Sequence, residues 1–361
     1  MTRGRREARV FQLQSNEKLI FPFTAIGKSV LAFNPDNDSI ALTGDKGNTV
    51  IHELRTGERV WETPSSEPRV DRAYANINFG TTAYGVGGLL FSSSMSSGQS
   101  LIWDTRTQSK LFDFGTNAPP IVGKAQFTPD GRNLIILGGS NKNLGDMKIQ
   151  VWKIERGVPA QSNSVSASLV RTLDSGNYNG FVVAPDNQRF AFNLQQSNSP
   201  PKILLGEIDG QTPPRSIATY SYASGSGENF TFSPDSRQLL MVNTNWEVIT
   251  LDTETGGEVM PPLSVIHTTS ASARVQLRIS LSPDGTKLAV IASSVDSGVE
   301  IWDWKNRRRI YSLPKQGGGI TWQLTWSPDS QKLCVCNDES GIALWNLQAV
   351  EQALNKLGLN L

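Results

Sequence analysis

The residues that could do chemistry are few, and they fall on one set of positions. Lys124 and Arg278 stand at equivalent places, five residues ahead of Pro129 and Pro283, each of which opens a Pro-Asp pair. The remaining positions three and five residues ahead of the Pro-Asp pairs carry mostly neutral polar residues, among them Gln126, Asn229, Thr231, Ser280, Gln323 and Thr325. Neither a carboxylate nor a histidine occurs in this set. Metal-dependent hydrolysis needs oxygen or imidazole ligands, and general acid–base catalysis needs a titratable pair. Two cations among amides and hydroxyls could hold a small anion; the plainer reading is a hydrated wall. The expectation is therefore no catalytic residue, no metal, no cofactor and no enzyme activity.

Other chemical motifs are equally sparse. Cys334 and Cys336 lie two apart in the apolar run KLCVCN, so both point to one face and cannot easily bridge each other. They read as two buried free thiols of a reducing compartment. The sequence GVGG at 85–88 lacks the strand-to-helix setting of a phosphate loop.

The elements that position these residues follow from a repeat. Pro-Asp recurs at 35, 129, 185, 234, 283 and 328. The wide gap between the first two is filled by a unit lacking the dipeptide, NINFGTTAYG at 76–85, which makes seven units. Proline presets the first corner of a tight turn and Asp or Ser bonds the local backbone, so the pair links two antiparallel strands. Each unit continues with a second apolar run, a third ending in an aromatic and a polar residue (SLIWD, IQVWK, VEIWD, IALWN), and a fourth after a turn such as TGER or TGGE. Four short strands per unit without helical periodicity predict an all-β fold, a seven-bladed β-propeller of four-stranded antiparallel blades. Residues two and four before each turn proline are apolar, from Leu31 and Phe33 to Leu324 and Trp326, and should face the core. The same alignment puts Ile77 and Phe79 in the core of the second unit and Asn76 and Asn78 on the channel.

At this point the whole chain resembles the WD-repeat (WD40) family, through its Ser-Pro-Asp turns and the Trp-Asp endings Trp103-Asp104 and Trp302-Asp303. It departs from that family in having no Gly-His dipeptide; its histidines are His52 and His267. Residues 9–21 align without a gap to 300–312, and the last unit stops after its third strand. Residues 18–23 should therefore supply the outer strand of the last blade. This leaves 9–13 as a spare third strand, which either competes with 342–345 or is the remnant of an upstream blade. Beyond Trp345 the period changes: Leu347, Val350, Leu354 and Leu357 form one stripe between a cap at Asn346 and a stop at Gly358, predicting a short C-terminal α-helix. The chain divides into a propeller over 1–346 and a helix over 347–361. The ending resembles helix-tailed WD-repeat domains of large bacterial multidomain proteins, some of which carry a protein kinase; this chain has no kinase motif.

Loop length distinguishes the two ends of the ring. Short Pro-Asp and Thr-Gly turns mark one end, with the long connection 157–168 as the one exception, and long connections such as 92–99, 139–147, 194–201, 220–227 and 267–273 mark the other. Binding concentrates on long loops held by a rigid scaffold. The family resemblance implies partner contacts just ahead of the inner strands on that face, where Tyr74, Tyr178, Asn179, Glu228, Gln276 and Trp322 match. Trp322 is the sharpest of these, with much apolar area and one donor, and Trp246 is a second exposed candidate. With 34 Lys+Arg against 33 Asp+Glu there is no excess of basic charge to follow a phosphate backbone, so no nucleic-acid partner is expected. No run of eighteen apolar residues and no signal peptide is seen, so no membrane association is expected and a cytoplasmic chain is the default. The functional expectation is a noncatalytic scaffold presenting its long-loop face to a protein or peptide. The alternatives are a channel-based enzyme or a small-molecule or anion sensor, and a domain that dimerises or anchors through its helix.

Overall fold

The computed structural model describes residues 19–20, 30–43, 48–64, 80–94, 97–140, 147–157, 164–176, 180–194, 200–210, 212–219, 230–243, 245–265, 277–292, 298–314, 321–337 and 341–358, of which 19, 20, 176, 292, 321, 322, 337 and 341 are described by backbone alone. Within them the chain forms seven antiparallel four-stranded sheets, each one blade. The innermost strands, in order from blade 1, are Leu31–Phe33, Gly80–Gly85, Ile121–Phe127, Phe181–Val183, Phe230–Phe232, Leu277–Leu281 and Thr321–Trp326. Each lies against the inner strand of the next blade, and Thr321–Trp326 lies against Leu31–Phe33, so the seven sheets close into a ring.

Blades 1 to 6 are each built from consecutive strands. Blade 7 takes three strands from one end of the chain and its outer strand from the other. Leu19–Ile20 pairs antiparallel with Gly341–Asn346, Leu19 opposite Leu344 and Ile20 opposite Ala343. Gly341–Asn346 fills the third position of that blade; residues 9–13 lie outside the described residues, as do 18 and 21–23.

The apolar positions two and four before each turn proline are buried in blades 1, 3, 4, 5, 6 and 7. The intervening positions are mostly half-buried, so one strand serves a dry seam on one side and the channel rim on the other. A separate apolar cluster fills each of the seven seams between blades. A blade cannot bury both faces alone, and the ring is what supplies its core.

Blade 2 corrects the sequence reading. Its inner strand runs over Gly80–Gly85 rather than ending near Phe79, and the turn is a 3-10 segment over Val86–Gly88. The reason is local: Gly87 and Gly88 adopt φ of 66° and 79°, a left-handed backbone that glycine enters without a Cβ penalty. GVGG is thus the structural substitute for Pro-Asp, which moves the strand several residues along. Tyr84 packs into the seam with blade 1 and Ala83, on the opposite face, into the seam with blade 3, while Ile77, Phe79, Asn76 and Asn78 lie outside the described residues.

The C-terminal helix α1 spans Leu347–Lys356. Asn346 Oδ1 accepts from the Ala349 N–H at 3.0 Å as its N-cap, and Gly358 follows at φ 74° as its stop. Leu347 and Leu354 are buried and Val350 packs beside them. Leu357, expected in the same stripe, is instead 61% exposed, since the helix has already ended at Lys356.

Candidate interaction surface

The repeated turn explains how the ring is locked at its short-turn end. In the Ser-Pro-Asp units the serine hydroxyl donates to the Asp carboxylate, as in Ser233 to Asp235 and Ser327 to Asp329, both at 2.5 Å. That carboxylate accepts the N–H two residues on, and the serine oxygen accepts the N–H that starts the second strand. The Ser233 hydroxyl and the Arg237 N–H hold the Asp235 carboxyl below the ordinary range, against the cost of burial. Asp329 is lowered too: burial opposes it, but Ser327, the Gln331 N–H and Lys332 outweigh that cost.

The residue after each Pro-Asp pair sits in the left-handed region: Asn37, Gly131, Asn187, Ser236, Gly285 and Ser330 have φ from 59° to 72°. Where this residue has a polar side chain, that side chain reaches the preceding blade. Asn187 Oδ1 accepts from the Asp130 N–H at 2.8 Å, Ser236 Oγ from the Asp186 N–H at 3.0 Å and Ser330 Oγ from the Asp284 N–H at 3.0 Å. Asn37 donates instead to the Asp329 carboxylate across the closing seam.

Where it is glycine, an arginine reaches back from the later blade. Arg156 of blade 3 donates to the carbonyls of Val86 and Gly87, and Arg307 of blade 6 donates to the Pro261 carbonyl at 2.6 Å. Arg171, Arg189 and Arg215 likewise bond backbone carbonyls of the next blade. These guanidinium groups bond carbonyl groups of adjacent blades, so this end of the ring is tied together by them.

The channel positions are also tied. Gln323 accepts from the Leu31 N–H at 3.0 Å and donates to the Leu31 carbonyl at 2.9 Å, clasping blade 7 to blade 1. Gln126 accepts from the Val183 N–H at 3.3 Å between blades 3 and 4. Lys124 is half-buried, its Nζ 5.6 Å from the ring centroid of Phe181 in the next blade. Arg278 is 3% exposed. The amides expected to line a hydrated wall therefore act as inter-blade ties. Among the described residues, no group of three or more His, Cys, Asp or Glu could hold a metal.

The opposite end of the ring bears the long connections. Of the six residues matched to partner contacts, Tyr74, Tyr178, Asn179, Glu228 and Gln276 lie outside the described residues. Trp322 is in the inner strand Thr321–Trp326, with its backbone alone described. Two supports of this end are described. Phe114, 1% exposed, meets Phe91, Phe112 and Trp152 edge-to-face with centroids 4.9 to 5.9 Å apart, which anchors the connection between blades 2 and 3. Trp246, read as exposed from its turn sequence, is half-buried against the seam of blades 5 and 6 and takes φ of 62° in a turn organised by Asn243.

The aromatic endings of the third strands are structural. Trp103, Trp152 and Trp302 are buried, while Trp345 is half-buried beneath α1. The polar residue that follows organises the next turn: burial works against Asp104, but Arg106 and the N–H groups of Arg106 and Thr107 hold its carboxyl below the usual range. Asn346, at the same place in blade 7, caps α1 instead. Sequence reasoning overlooked the left-handed turn residue and the seam arginines. The first was signalled by Asn, Gly or Ser directly after every Pro-Asp pair, while the second needs three-dimensional partners that no spacing announces.

Comparison with known proteins bears on the architecture. No family model matches the chain. The U5 small nuclear ribonucleoprotein 40 kDa protein of Homo sapiens is 35% identical over 72 residues, 20% of this chain and 19% of that protein. Pre-mRNA-processing factor 17 of Homo sapiens is 25% identical over 247 residues, 68% of this chain and 38% of that protein. The matches thus span less than half of either relative. Among solved structures, the Swd1 β-propeller domain of Myceliophteria thermophila superposes with a TM-score of 0.60 at 13% identity, covering 89% of this chain and 97% of that one. Kuenenia stuttgartiensis hydrazine synthase superposes with a TM-score of 0.62 at 13% identity, covering 93% and 99%. At that identity the two structures speak for the fold alone. The closed ring of seven four-stranded antiparallel blades makes this chain a seven-bladed β-propeller, and its repeated Ser-Pro-Asp turns and these relatives make it similar to WD-repeat proteins.

Proposed function

We propose that the chain is a noncatalytic protein-interaction scaffold that presents its long-loop face to a protein or peptide, with Trp322, Glu228, Asn179, Tyr178, Tyr74 and Gln276 as contact residues. The observation that carries this reading is the asymmetry of the ring. At the short-turn end, side chains are bonded to neighbouring turns and carbonyls, whereas the long connections lead from the opposite end. A rigid ring with variable loops on one side suits recognition more than chemistry. The relatives point the same way by name, one being part of a ribonucleoprotein and the other a pre-mRNA-processing factor. Those names also make RNA a partner to test, despite the balanced charge. The free, buried thiols Cys334 and Cys336 favour a reducing compartment. No helix among the described residues is long and apolar enough to cross a membrane.

The test is affinity capture with the intact chain beside a folded Trp322→Ala, Glu228→Lys variant, with and without ribonuclease. A protein held by the first and lost by the second, unaffected by ribonuclease, supports the reading. Equal retention by both overturns the face assignment, and loss on ribonuclease treatment replaces the protein partner with RNA.

A further inference from the structure

We propose that α1 is a clasp on the seam between blades 6 and 7, holding blade 7 to blade 6 independently of the outer strand that blade 7 receives from Leu19–Ile20. In blades 1 to 6 the chain turns after the third strand and runs back as the fourth. In blade 7 it enters α1, and the Leu347 N–H donates to the Gln331 carbonyl at 2.8 Å, fixing the first helical residue to its own blade. From there the helix reaches across the seam. Leu347 and Leu354 share one apolar cluster with Tyr311 and Leu313 of blade 6 and Leu333 of blade 7.

Glu351 supplies the polar part of the clasp. Its Oε1 accepts from Tyr311 Oη at 3.0 Å and lies 3.3 Å from Lys287 Nζ, both on blade 6. The Lys287 and Glu351 side chains are 21% and 25% exposed, so the pair is partly shielded from solvent. The Tyr311 hydroxyl is shifted far above its ordinary range, first by burial and then by the Glu351 charge, and remains a donor at any physiological pH. Pulling blade 7 away from blade 6 breaks this clasp as well as the apolar cluster, whatever the state of the closing strand.

The experiment is native-state hydrogen exchange on the full chain, its Glu351→Ala variant, an Ile20→Pro variant that cannot complete the closing pair, and the double variant. Glu351→Ala should speed exchange of the amides in Lys332–Asn337 of blade 7 about tenfold, the order expected on losing a hydrogen bond to a charged group, and should do so again in the Ile20→Pro background. Glu351→Gln, which still accepts from Tyr311, should fall between. If Ile20→Pro does not fold, Tyr311→Phe and Lys287→Met must each speed the same amides. Faster exchange confined to 347–356, with blade 7 unchanged, would overturn the proposal.

Discussion

Asn187 Oδ1 accepts the Asp130 N–H at 2.8 Å, so the turn of blade 4 is bonded to the turn of blade 3 by a residue held at φ 62°. Two demands meet at this one position, a left-handed backbone and a side-chain acceptor. They can be separated by mutation. Asn187→Gly keeps the backbone and loses the bond, and should lower stability by about 1 kcal/mol. Asn187→Ala loses both and should cost about 1 kcal/mol more. Urea unfolding of the two variants checks the order.

At the seams where this position is glycine the prediction is different. A Cβ on Gly131 would lie 2.7 Å from Val86 Cγ2, and one on Gly285 would lie 2.9 Å from Pro234 Cγ. Neither position should accept the asparagine or serine found in other blades. Gly131→Asn should therefore destabilise, by about 1 to 3 kcal/mol, rather than add a seam bond. A raised thermal midpoint would contradict this.

Arg156 carries the seam between blades 2 and 3 by donating to the carbonyls of Val86 and Gly87. Arg156→Lys keeps the charge but cannot reproduce the fork, so it should behave nearly as badly as Arg156→Met. Each should cost about 1 kcal/mol, read from the midpoint of urea unfolding. Full rescue by lysine would show that the site needs only a positive charge.

Acid should weaken the fold in two steps. His52 is 3% exposed, and burial, outweighing its bond to the Gly57 carbonyl, lowers its affinity for protons, with Arg59 adding to the effect. The unfolded chain then binds the proton more readily, so the stability His52 contributes is present above about pH 6.5 and is lost as pH falls through its lower folded value. His52→Gln should flatten this limb. The turn carboxylates Asp235 and Asp329 are also depressed, so their contribution is present above about pH 3.9 and lost below it. Ser233→Ala, by removing a donor to Asp235, should flatten the second limb alone. Thermal midpoints measured from pH 8 to pH 2 separate the two.

The architecture was legible because its determinants are local. A proline-led turn, alternating apolar residues and a recurring aromatic ending each act within a few residues of chain, and their repetition gives the blade count. The closing strand was legible for the same reason, as a displaced copy of a local pattern. Blade 2 was misregistered because Gly87 and Gly88 make its turn by backbone freedom, with no proline to mark it. Alternation sets the channel positions apart from the apolar ones, yet Gln126 and Gln323 clasp neighbouring backbones rather than face only water, and Arg278 is nearly fully buried. Leu357 and Trp246 illustrate the same limit: stripe and turn patterns say which residues are apolar or in a turn, and the packing of adjacent blades decides which are covered.

The central claim is that recognition occurs on the long-loop face. Its most direct test is hydrogen exchange of the chain with and without a captured partner. Protection in segments 139–147, 194–201, 220–229 and 266–276 together with the start of the strand Thr321–Trp326 is the predicted result. Protection confined to the Pro-Asp turns or to the outer strands, with those segments unchanged, would contradict it.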